Sequence, residues 1–137
     1  MMKLIQVAIG VVIAEKGVLI CQRPATGKFP GLWEFPGGKI EPPESPADCV
    51  RRELKEELNI EVEITQTLET LQHDYGDFAV VIHPFLCRQT GGEVRAIACQ
   101  QFRWIPAARL SDYSFPEANR PLLDKLIVMN LNLEPTK

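Results

Sequence analysis

The chain has 137 residues, with 15 Lys and Arg against 18 Asp and Glu, a formal charge of −3 and 45% hydrophobic residues. Those values exclude a disordered or fibrous chain and suit one globular domain, expected over residues 1–137 with 131–137 as a disordered tail. The acidic balance excludes the basic footprint of a nucleic-acid polymer partner. The apolar run Leu4–Ala14 behind Lys3 is too short to span a bilayer and lacks a cleavage site, so a cytoplasmic chain without membrane contact is expected. The cysteines Cys21, Cys49, Cys87 and Cys99 form no CxxC pair and read as free thiols of a reducing compartment, not as zinc ligands.

In chain order, a β-branched run predicts a strand over 3–14, turning at Glu15-Lys16-Gly17 into a strand over 17–23. A Gly/Pro-rich loop, 24–33, precedes a short strand near Glu34-Phe35 and a turn at Pro36-Gly37-Gly38. A helix is predicted over 46–58, then strands over 60–71, 78–87 and 101–105. Turns at Tyr75-Gly76-Asp77 and Gly91-Gly92 separate those strands. One helical turn at 106–110 and a helix from Pro121 to Met129 complete the order. Strands interrupted by two helices imply a mixed sheet with helices on its faces, an α/β class.

The helix at 46–58 has the clearest signals. Ser45 stands at the N-cap, Pro46 at the first position, Asp48 where a capping box takes its acid, and Asn59 where a left-handed residue ends the helix. Ala47, Val50, Leu54 and Leu58 form its core stripe. Glu53, Glu56 and Glu57 neighbour one another, with Glu53 and Glu57 bordering the stripe and Glu56 further toward water. Taken alone, such a helix reads as a solvated face laced by pairs such as Arg52 with Glu56.

The wider spacing changes that reading. Gly38, Glu44, the run Arg52-Glu53-Leu54-Lys55-Glu56-Glu57-Leu58 and Ile60 together resemble the Nudix box, departing only at Asn59, where the family has glycine. Asn tolerates glycine's left-handed conformation. The resemblance implies a Nudix-type α/β/α sandwich, a mixed β-sheet with two main helices. It implies Mg²⁺, or Mn²⁺, held by Glu53, Glu56, Glu57 and the Gly37 carbonyl, and catalysis by Glu53, Glu56, Glu57 and Arg52. Arg52 is expected to position the glutamates with Glu44 behind it. Magnesium takes a few carboxylates plus substrate phosphates, which suits three glutamates on one helix.

The segments Gln22-Arg23-Pro24, Leu32 to Glu41 and Phe115 to Pro121 extend the resemblance toward the MutT-like branch. It assigns substrate contacts to Arg23, Lys28, Glu34, Phe35, Gly37, Gly38, Lys39, Phe78 and Asn119. Read locally, Arg23 is an exposed strand-end charge, Lys28 is solvated, Phe35 and Phe78 are core, and Asn119 caps the last helix. Physically, an Asn amide can pair with both the N7–H and O6 of an 8-oxoguanine. The implied enzyme is a Mg²⁺-dependent pyrophosphohydrolase that sanitises 8-oxo-dGTP, a small nucleotide, as a monomer, with a dimer as the other state. Two alternatives stand: a CTP or modified-cytidine pyrophosphohydrolase, and a binding or regulatory module of the same fold. One departure is that residues 95–101 carry no acid, so a general base is expected from the box at Glu53, or from Glu93 or Asp77.

Overall fold

The structure is a computed structural model that describes residues 3–27 and 29–129. Lys28 and the expected tail therefore lie outside the described residues. Its centre is a parallel pair, β1 (Lys3–Ala14) beside β7 (Phe78–Gly92), in register from Lys3 opposite Phe78 to Val12 opposite Cys87. β2 (Gly17–Gln22) folds back antiparallel on β1. It pairs in turn with β3 (Trp33–Glu34) and β8 (Gln101–Ile105). β5 (Ile60–Thr67) and β6 (Leu71–Asp74) both run antiparallel to β7.

Alternation along β1 sorts the core into two layers. Ile9 and Val11 join Val18, Ile20 and the α2 (Arg120–Met129) residues Leu122, Leu123 and Leu126. Ala8 and Val12 join Leu19, Cys21 and the α1 (Pro46–Leu58) residues Cys49, Val50, Leu54 and Leu58 on the other face. The mixed sheet is thus covered on both sides by a helix, as the α/β expectation requires.

α1 begins and ends where its signals place it. Ser45 Oγ accepts from the Asp48 N–H at 3.1 Å, and Asn59 takes φ 63° with its N–H on Leu54 O and Lys55 O. The expected capping box is only half made, because the Asp48 carboxylate accepts from Arg51 at 2.9 Å instead.

Three expected elements are corrected. Pro36-Gly37-Gly38 is not simply a turn, since Gly37–Lys39 form strand β4, antiparallel on β1 with Gly37 opposite Ile9 and Gly38 opposite Ala8. Missing side chains permit this approach: a Cβ at Gly37, where φ is 156°, would stand 2.1 Å from Ala8 O. The strand expected over 60–71 divides into β5 and β6. Thr67 opposes Phe85 and Leu71 opposes Ile82, so the break falls at Pro84, which has no N–H for the ladder. Finally, β7 runs through the expected Gly91-Gly92 turn, and its register against β5 is irregular at Glu61/Val62, where Thr90 is the extra residue on β7, and at Ile64/Gln66, where Thr65 is the extra residue on β5.

Candidate active site

β4 lies against α1 and brings the glycine backbone to the helix carboxylates. A Cβ at Gly38 would stand 2.6 Å from Glu53 Cδ, so the Glu53 carboxylate occupies the space that glycine leaves. The Glu57 carboxyl hydrogen-bonds Glu53 and accepts from the Gly37 backbone. Burial, then that contact and the Glu53 and Glu34 charges, push Glu57 up to about 9. At neutral pH the Glu57 carboxyl is therefore held protonated. Glu56 stands apart, 60% exposed and 3.3 Å from Arg52. Among the described residues no three Asp, Glu, His or Cys side chains are gathered as a ligand set.

Arg52 organises this face. Its Nε donates to Glu44 Oε1 at 2.9 Å and its Nη2 to Glu44 Oε2 at 2.9 Å, a bidentate fork. Nη1 donates to Glu53 at 3.0 Å and to Glu56 at 3.3 Å, and Nη2 also reaches the Lys39 carbonyl at 3.3 Å. Those bonds hold the Glu44 carboxyl below, and the Arg52 guanidinium above, their ordinary ranges. One guanidinium thus fixes helix, strand and the preceding loop together. Under β4, the Cys49 thiol donates to Gly38 O and Lys39 O at 3.5 and 3.4 Å.

Beside the carboxylates opens a cleft of about 530 Å³. Eight of the nine expected contact residues line it: Arg23, Glu34, Phe35, Gly37, Gly38, Lys39, Phe78 and Asn119. The ninth, Lys28, is outside the described residues. Arg23 and Glu34 face each other at 3.0 Å, and burial raises the Glu34 carboxyl despite that partner. Phe35 is also core as expected locally, only 3% exposed and tilted on Phe115 at 5.2 Å. Phe78 is half-buried rather than core.

Asn119 does not act as the helix cap that the local reading alone would make it. It sits in a 3-10 turn, Glu117–Asn119, and its amide has no hydrogen-bond partner among the described residues. Of the other candidate bases, Glu93 is exposed beside Arg95, and Asp77 is exposed at the hairpin tip.

The sequence reading missed Tyr75, placed there in a turn. Its ring stacks on Phe78 at 5.1 Å, lines the cleft, and its hydroxyl accepts from the Ala118 backbone next to Asn119. An aromatic three residues before Phe78, across a two-residue turn, was the available signal. Ile5, Val7, Val80 and Ile82 of the paired β1 and β7 add an apolar floor. Both β1 and β7 are long enough to expose their N-terminal halves there.

The donor set suits a hard divalent cation. It offers oxygen ligands only, and Glu57 holds a proton that such a cation can replace.

Fold, box spacing and site geometry agree with one family, and a family model described as a NUDIX domain matches residues 8–125. The chain belongs to the Nudix hydrolase family, as a MutT-like member. Within it, the chain is 31% identical to the CTP pyrophosphohydrolase of Escherichia coli K12 over 93% of this chain and 95% of that one. It is 33% identical to the 8-oxo-dGTP diphosphatase of the same strain, over 91% and 98%. A solved MutT structure, from Aliivibrio salmonicida or Vibrio cholerae, superposes with a TM-score of 0.75 at 30% identity, over 90% and 96%. Nudix hydrolases generally use divalent metal ions. Among the described residues no helix is long and apolar enough to cross a membrane.

Proposed function

We propose that this pyrophosphohydrolase acts on 8-oxo-dGTP with Mg²⁺, releasing the monophosphate and pyrophosphate, and so keeps an oxidised nucleotide out of the DNA precursor pool. In this reading the whole chain is one domain, a cytoplasmic monomer with a small-molecule substrate. The observation that carries it is the placement of the unpartnered Asn119 amide in the same cleft as the Gly37-Gly38 backbone that bears on Glu53 and Glu57. A base reader and a phosphate-cleaving site then lie within one nucleotide's reach.

Glu53, Glu57 and the Gly37 carbonyl would hold the metal, with Glu56 joining by turning from Arg52. When bound, the cation neutralises polyphosphate charge and lowers the pKa of a water. Arg52 fixes the carboxylates, and Glu53 is the group that accepts the proton of the attacking water. Arg23, Lys39 and Lys28 meet phosphate charge. Tyr75, Phe78 and the aliphatic floor hold the base, while Asn119 Oδ1 accepts from its N7–H and Nδ2 donates to O6. Ordinary guanine would set a lone pair against Oδ1, an unmet pair costing about 1–3 kcal/mol.

Asn119→Ala tests this directly. The ratio of kcat/KM for 8-oxo-dGTP over dGTP should fall about 10- to 100-fold. An unchanged ratio would remove the base-reading role. A second reading, CTP or a modified cytidine, is favoured by the similarity to the CTP pyrophosphohydrolase, whose coverage equals that of the 8-oxo-dGTP enzyme within a few per cent.

A further inference from the structure

Away from the nucleotide chemistry, two thiols meet. Four cysteines are free; Cys21, Cys49 and Cys87 are buried, and Cys99 is half-buried. Cys21 and Cys99 make a side-chain hydrogen bond. The strand register produces this contact. β8 pairs with β2 so that Gln22 opposes Gln101 and Cys21 opposes Phe102, while the Gln100 N–H also donates to Gln22 O at 2.9 Å. Two successive residues thus address Gln22, and the doubled position leaves Cys99 beside Cys21 on the α1 face, with Phe102 and Trp104 in the same cluster.

The two sulfurs are not equivalent. The hydrogen bond from Cys21 pulls the Cys99 thiol below its ordinary range, while that same contact and burial push Cys21 up. Cys99 is the more accessible of the pair, which is the position of an attacking thiol, with a resolving thiol in contact behind it. The surroundings connect this pair to the site. The Arg95 N–H donates to Leu58 O at 2.9 Å, and the Ile97 and Ala98 N–H groups donate to Glu57 O at 3.1 and 3.3 Å. The segment carrying Cys99 is therefore fastened to the end of α1 that carries Glu57.

We propose that Cys99 and Cys21 form a modification site, a dithiol oxidised by hydroperoxides. The Cys99 thiolate attacks the O–O bond of hydrogen peroxide, becomes a sulfenic acid and releases hydroxide. The Cys21 sulfur then attacks that of Cys99, water leaves, and an intrachain Cys21–Cys99 disulfide forms; two electrons pass from the sulfurs to the peroxide. The bond ties β2 to the segment behind Glu57.

The test uses the full chain and stoichiometric hydrogen peroxide. The intact protein should lose two hydrogens in mass and two of its four free thiols. Peptide mapping should find Cys21 joined to Cys99, and dithiothreitol should reverse the change. Cys21→Ala treated with peroxide and dimedone should carry the adduct at Cys99, whereas Cys99→Ser should form no disulfide. Because Cys21 is buried and its replacement can impair folding, the wild-type map and the half-buried Cys99→Ser variant decide the matter on their own. Oxidation that starts at Cys49 or Cys87, or Cys99 advancing to sulfinic acid with Cys21 still a thiol, would overturn the proposal.

Discussion

Replacing Gly38 with alanine separates catalytic geometry from fold stability. The new Cβ would lie 2.6 Å from Glu53 Cδ and Oε2, against about 3.4 Å where ordinary contact begins, a shortfall of about 0.8 Å. Gly38 has no positive φ, so alanine fits its backbone, and the clashing atoms are the far end of a side chain. The fold should therefore absorb the change at less than about 1 kcal/mol, within the ordinary range for a strain-free substitution. The Glu53 carboxylate must yield, however, and a displacement near 1 Å in a catalytic group costs about 100-fold in rate. Thermal unfolding and kcat/KM on the preferred nucleotide measure the two effects in parallel. Gly37→Ala is the contrast, since its Cβ would meet backbone, Ala8 O at 2.1 Å, and should lower Tm sharply. Full activity in Gly38→Ala would refute the placing of Glu53 against that glycine.

Arg52→Lys should lose about 10- to 100-fold in kcat with little change in KM, because an ammonium cannot bridge Glu44, Glu53, Glu56 and the Lys39 carbonyl at once. Steady-state kinetics checks it, and wild-type kcat would show that charge alone suffices. Glu53→Gln should abolish turnover while the far-UV spectrum and Tm stay near wild type. Retained kcat would displace Glu53 from the chemistry. In the metal-free protein Glu57 is raised to about 9, so the stability it contributes is fully present below the ordinary carboxylate range and is lost as pH rises toward 9. Metal uptake at pH 7 should accordingly release about one proton and strengthen with pH. Titration calorimetry in two buffers of different ionisation enthalpy reads this, and zero release would contradict it.

The helix and its caps were legible because their signals are local: Ser45, Pro46 and Asn59 act within a turn of themselves. The exposure order of Glu53, Glu57 and Glu56 followed from periodicity alone. The eight cleft residues were marked by the family resemblance of three separate segments, since no local rule joins Arg23 to Asn119; strand order does that. What escaped was set by partners distant in sequence. Gly37 and Gly38 read as a turn until β1 stands beside them, and the β5–β6 break depends on Pro84 in another strand. Tyr75 carries a local signal in its spacing from Phe78, but its place at the cleft depends on touching Ala118, more than forty residues onward. The cap that a local reading gives Asn119 is not formed, because the chain enters α2 through a 3-10 turn that sets the residue on the cleft wall.

The most direct measurement of the central claim is Mg²⁺-dependent hydrolysis by the wild-type chain over 8-oxo-dGTP, dGTP and CTP, with kcat/KM determined for each. The highest value is expected for 8-oxo-dGTP, with pyrophosphate as the released product. A higher value for CTP, or no turnover of any of the three with Mg²⁺ present, would contradict it.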